Sequence, residues 1–296
     1  MLFFSEFSRG GLGNGNGLTI ISGMSAQNLL LPREEYVEQA YLFQVLRERM
    51  RTTATQELME TVRHEILATT RLPMAMEFMS SALKHTGSMA EAMATMSHYF
   101  TPFQTFVMQE AERDGGKFDF QIALLLLERE ARCRAESLPP AALFLYHLEA
   151  ISRNRLNYDF GLKAVSEDPV FNQDWKEWIL LVRRQLGLVD IAEMIYARSE
   201  YYPLLTGKNS GRAILFGEKE GRIALANRQK DATYLFASLQ RHLNYPVVPR
   251  RLPGDSEEAV VTKLVRTVDR LESRVKFLED EMRGSFDITQ YYVQDK

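Results

Sequence analysis

The sequence predicts a mainly α protein: a multi-helix body, either a bundle or an irregular solenoid, with a small β-hairpin plus helix unit and a C-terminal coiled-coil helix. Three observations carry this expectation. Helix start and stop signals succeed one another from Pro32 to about Tyr202, two short β-patterned runs flank a glycine-bounded loop after Ala213, and apolar residues near the C-terminus recur at alternating spacings of three and four.

Residues 1–31 are expected to be a disordered extension. Gly10, Gly11, Gly13, Gly15 and Gly17 run through the stretch with Asn14 and Asn16 interspersed, and it lacks the basic segment and longer apolar core of a secretory signal. These glycines follow no strand and lead directly into no helix, so they do not match a dinucleotide fingerprint. Met24 stands shortly before the helical pattern and is a candidate true start.

The body is assigned to residues 32–204. Pro32 suits a first helical position, and Glu34, Glu35 and Glu38 against Arg47 and Arg49 complement the helix dipole of a first helix ending near Met50. Further helices are expected over 56–67 and 73–84, then after two capping boxes, Ser88 with Glu91 and Thr101 with Gln104. The stretch Asp119 to Glu136 is apolar first and charged later, with Glu128 to Arg132 and Glu130 to Arg134 at i to i+4 spacing, and reads as the central buried helix. Pro139 and Pro140 open another, and helices follow from Trp175 to Leu186 and from Asp190 to about Tyr202, before Pro203. No internal repeat of about 30 to 45 residues is evident, so nothing specifically favours the solenoid.

Residues 205–245 form the hairpin-helix unit: strands at 213–216 and 222–225, then a helix from about Asp231 to Leu243. Residues 246–254, with three prolines, read as an extended linker, followed by a coiled-coil helix over 255–283 and a flexible tail over 284–296. In that helix Val261, Val268, Val275 and Met282 occupy a and Leu264, Leu271 and Leu278 occupy d. β-Branched a residues with Leu at d favour a parallel two-stranded coiled coil, and Arg274 at g can meet Glu279 at the following e of a partner. The seam is about 33 Å long. The same helix could instead fold back on its own body.

Composition narrows the function. A net charge of -3 gives no basic excess for nucleic acid or anionic membranes, and the longest uninterrupted apolar stretch, Ile122 to Leu127, is far too short to span a bilayer. The single Cys133 excludes an intramolecular disulfide framework, and the expected location is the cytoplasm. None of His64, His85, His98, His147 or His242 has Glu three residues before it, so the ligand pattern of di-iron bundles is missing. His64-Glu65 begins like a zinc-protease helix motif, but Ala68 stands at the second ligand position. Gly207-Lys208 lacks the flanking residues of a nucleotide-binding P-loop. Met89, Met93 and Met96 share a helix face, Trp175 and Trp178 lie three apart, and both sets read as packing residues.

No metal, cofactor or catalytic residue is therefore assigned. The expected function is a non-catalytic scaffold or adaptor that self-associates as a parallel homodimer through Val261, Leu264, Val268, Leu271, Arg274, Val275, Leu278, Glu279 and Met282. Two alternatives remain. One is an enzyme with dispersed active-site residues; the other is a winged-helix-like DNA-binding regulator, whose would-be recognition helix carries Asp190, Glu193 and Glu200 against only Arg198.

Overall fold

Most of the helix-start signals act as hydrogen bonds in the computed structural model, which describes residues 31–50, 55–113, 118–207 and 211–250 together with positions 268, 271 and 275. The chain divides into two units, Met1–Pro249 and Arg250–Lys296. Thirteen helices lie among the described residues of the first: α1 (Arg33–Arg49), α2 (Thr55–Arg63), α3 (Leu72–Thr86), α4 (Met89–Thr95), α5 (Pro102–Glu112), α6 (Phe120–Ala135), α7 (Pro140–Arg153), α8 (Tyr158–Ser166), α9 (Gln173–Gln185), α10 (Ile191–Tyr196), α11 (Tyr201–Thr206), α12 (Glu218–Ala226) and α13 (Ala232–Leu243).

Thr101 and Gln104 form a complete capping box at α5. Ser88 caps α4 by accepting from the Glu91 amide, but the other first-turn amides turn to a different helix. Met89 N and Ala90 N donate to Glu112 of α5, at 2.8 and 2.9 Å, so a tertiary carboxylate satisfies donors that a local cap would leave open. Asp119 accepts from the amides of Gln121 and Ile122 and starts α6.

The mainly α expectation is met, and the long pair α1 and α6 packs side by side at the centre of the first unit. Leu42, Phe43 and Leu46 of α1 and Leu124, Leu127 and Ala131 of α6 are all fully buried in one core. The methionine run packs into the same core: Met76, Met79, Met89, Met93 and Met96 are buried, whereas Met74 faces outward. Trp175 and Trp178 of α9 meet edge to face at 5.6 Å, and Phe216 sits 5.2 Å from each ring. That aromatic anchor holds residues 213–217 against the body.

The expected β-hairpin is not formed. Phe216 makes a single parallel bridge with Ser199, and the second half of the supposed hairpin is helix α12. Glu218 and Glu220 lie in its first turn, where the dipole favours them, and Arg222 pairs with Glu218 one turn back. Gly221, read as a loop boundary, is an interior helix residue whose missing side chain is needed. A Cβ there would lie 2.1 Å from Ser199 Oγ and 2.7 Å from Tyr201 Cβ, so only glycine lets α12 approach residues 199–201 this closely. With no hairpin there is no wing, and the winged-helix alternative loses its structural premise.

Three further boundaries differ. Helix α8 escaped the sequence reading because Gly161 interrupts its pattern; a Cβ there would sit 2.8 Å from Ile151 Cδ1 and 3.0 Å from the Phe106 ring, so close helix packing selects the residue. The single helix expected over 190–202 is two short ones, with Pro203 inside the first turn of α11, where its lacking N–H would have no intrahelical acceptor anyway. The start of the expected linker is held fast. Carbonyls of Tyr245, Val247 and Pro249 accept from Gln240, Arg129 and Asn154, and Tyr245 and Val248 are buried.

Candidate functional site

The predicted association seam is described at three of its positions. Val268, Leu271 and Val275 are helical and 49, 55 and 53% exposed, which places three apolar seam residues at spacings of three and four in contact with solvent. Val261, Leu264, Arg274, Leu278, Glu279 and Met282 lie outside the described residues.

The helical body contains a second candidate that the sequence did not single out. Glu130 and Arg134 of α6, expected from their i to i+4 spacing to pair, are 0 and 2% exposed at their side chains and bond at 2.5 Å. Arg134 turns its other nitrogens to Asp168, itself fully buried in the turn after α8. Around this centre, Gln104 Nε2 donates to Glu130 at 2.9 Å and to Gln39 Oε1 at 3.1 Å. Gln39 donates to the Tyr99 carbonyl at 3.3 Å, and the Tyr99 hydroxyl donates to Glu35 at 2.8 Å. Glu35 also accepts from the Arg71 amide at 2.7 Å. The negative charges assigned to the dipole of α1 thus serve a tertiary network as well.

The electrostatics follow from burial and proximity. Burial alone pushes the Glu130 carboxyl up, but the Arg134 charge and a hydrogen bond from His147 outweigh it and hold the group at about 2. Burial pushes the guanidinium of Arg134 toward neutrality, and the facing Asp168 and Glu130 more than reverse this, so its charge is held. His147 is fully buried, with Nε2 at 3.3 Å from Glu130 and its ring stacked on Phe103 at 3.8 Å between centroids. Desolvation lowers its pKa below the ordinary imidazole value, with Glu130 opposing, and the neutral tautomer carrying its proton on Nε2 fits the carboxylate.

Such a network is costly to bury, and its arrangement shows what it secures. It ties together α1, the segment 97–102 before α5 and the turn 167–172, which are the walls of a cleft of about 610 Å³. Tyr99 is fixed through Gln39 and Glu35, Tyr36 lies with its ring 5.9 Å from the Arg134 guanidinium, and the Val170 amide is fixed on Asp168. Phe100 and Phe171 supply further apolar wall, and His98 and Lys176 bring basic nitrogens to the cleft. A second cleft of about 520 Å³ shares Ser97, Phe100, Pro102 and Glu167 with the first.

The remaining sequence candidates are placed as follows. Cys133 is buried, and burial, reinforced by Glu130 and Glu136, raises its thiol pKa well above the ordinary range. Among the described residues no cluster of His, Cys, Asp and Glu has the arrangement of a metal site, and no helix is long and apolar enough to cross a membrane. The sequence held one sign of the buried network: five acidic or basic side chains, Glu128, Arg129, Glu130, Arg132 and Arg134, in the helix already read as central. Compared with protein-family models, curated proteins and solved structures, the chain matches none of them.

Proposed function

We propose that this protein is a non-catalytic scaffold or adaptor that pairs with a second copy of itself through its C-terminal helix, in a parallel two-stranded coiled coil. The observation that supports the reading most directly is the half-exposed helical triplet Val268, Leu271 and Val275. A narrow stripe at heptad spacing is completed by one partner helix. Fully burying an aliphatic side chain of this size is worth about 1.5 to 3 kcal/mol, so residues left half in water retain a substantial driving force for association. Val at a with Leu at d selects two strands, and Arg274 against Glu279 favours the parallel register.

Light scattering on the full chain tests this. The expected mass is twice the 34.1 kDa of the monomer, falling to the monomer value in Val268→Asp/Leu271→Asp, with the helical signal of the body retained. A monomer at all concentrations for the natural sequence, or an unchanged dimer for the double variant, would overturn the proposal.

A further inference from the structure

We infer that His147 is a proton-operated lock at the centre of the helical body: the neutral ring completes the network of Glu130, Arg134 and Asp168, and a proton on the ring opens it. The lock is independent of the C-terminal helix.

The ring is shut off from water. His147 is 0% exposed on α7, Phe103 of α5 stacks on it at 3.8 Å, and the rings of Tyr146 and Phe171 stand edge to face with it at 6.3 and 6.4 Å. Nε2 meets Glu130 at 3.3 Å, whereas Nδ1 is buried without a hydrogen-bond partner. On the neutral ring Nδ1 is an unpaired acceptor, a modest cost. Protonated, it becomes the N–H of a cation with neither an acceptor nor water beside it, and a charge enclosed in this way costs far more than a neutral polar atom.

The neighbouring charges do not offset that cost. Glu130 and Arg134 face the ring from α6 and Asp168 from the turn after α8, while α5 brings Phe103 and the uncharged Gln104. Glu130 and Asp168 attract a proton on the ring and Arg134 repels it. The oxygen that the ring reaches, Glu130 Oε1, already accepts from Arg134 Nε at 2.5 Å, so a protonated ring has to share it with a second cation. Loss of hydration outweighs the attraction and lowers the pKa of the ring from the ordinary 6.5.

Position gives the lock its reach. Glu130 also accepts from Gln104, which donates in turn to Gln39 of α1, and Arg134 holds Asp168, whose Oδ1 accepts from the Val170 amide. Opening at His147 therefore loosens α1, α5, α6 and the turn 167–172 together. An opened ring takes its proton at about 6.5 and the closed ring only at lower pH, so the lock is fully closed above 6.5 and weakens as pH falls through 6.5 toward the lowered value. Glu130, held at about 2, stays ionised throughout this range.

The test compares the full chain at about pH 7.5 and about pH 5.5. Ring NMR, with the His147 signal assigned through its contact with Phe103, is expected to give a titration midpoint below 6.5. Over the same range the protection of the Val170 amide against hydrogen exchange falls, and the folding equilibrium measured in urea falls by up to about tenfold per pH unit, the slope of one proton. His147→Gln, whose amide can still donate to Glu130, removes that slope, and the control His85→Gln at an exposed histidine keeps it. The inference is overturned if His147 titrates at or above 6.5, if Val170 protection does not fall, or if folded His147→Gln keeps the natural pH dependence. Where His147→Gln does not fold, the ring titration and the Val170 protection of the natural protein decide. The lock should persist in the Val268→Asp/Leu271→Asp variant, so failure of the dimer and failure of the lock are read separately.

Discussion

Replacing Arg134 by Met keeps much of the side-chain volume in the core and removes the only cation that bonds both Glu130 and Asp168 among the described residues. Both carboxylates are completely buried, and neither gains water in exchange. Removing one partner of a buried ion pair costs about 3 to 5 kcal/mol, a large part of the roughly 5 to 15 kcal/mol that holds a domain folded. The pH dependence gives the sharper signature. In the natural protein Glu130 is held at about 2 against an ordinary 4.5, so its contribution, about 3 kcal/mol, is full above 4.5 and is lost as pH falls toward 2. Without Arg134, burial dominates at Glu130, and a carboxyl raised above its unfolded value penalises the fold as pH rises through and above 4.5. The deficit of Arg134→Met should therefore be largest at about pH 7 and shrink at about pH 5. Urea unfolding followed by the fluorescence of Trp175 and Trp178, both buried, measures it. A loss below about 1 kcal/mol at neutral pH, or a deficit that does not shrink on acidification, would refute the role given to the network.

Two other outcomes are expected. Gly221→Ala should cost about 1 to 3 kcal/mol, because its Cβ would meet Ser199 Oγ at 2.1 Å and Tyr201 Cβ at 2.7 Å, whereas Gly161→Ala should cost less because its closest neighbour is the flexible end of Ile151; chemical unfolding that ranks them the other way contradicts the packing. Cys133 is 1% exposed with a raised thiol pKa, so it should react with a thiol reagent only after unfolding, and rapid labelling of the native protein would contradict its burial.

Local chemistry made much of the fold legible. Thr101 with Gln104, Asp119 and Asp190 are caps that act within a few residues of themselves, and their helices begin where those residues predict. The hairpin misled because β-branched and glycine-bounded runs resemble strands locally. Their fate was decided by Phe216 seated between two tryptophans and by Gly221 against Ser199, contacts with residues far away in sequence. Helix α8 was hidden for the same reason, since Gly161 counts against a helix until Ile151 and Phe106 are seen beside it. At the proposed association seam, apolar periodicity alone nominated the residues. At the cleft no linear pattern existed, because Tyr36, Tyr99, Asp168 and Lys176 come from four separate stretches of chain.

The sequence by itself determined that the chain is helical, where most helices start, and that a heptad stripe lies near its C-terminus. Capping, dipole and periodicity depend on neighbours within one or two turns, so they are readable in one dimension. Only the tertiary structure decided that Glu130 and Arg134 are interior rather than surface charges, and that Glu35, Gln39 and Asp168 stand behind the walls of a cleft. The sign and size of a charge's effect depend on how much water surrounds it and which partners stand within hydrogen-bond reach. Both are set by the packing of α1 and α6 and the turns around them, not by spacing along the chain.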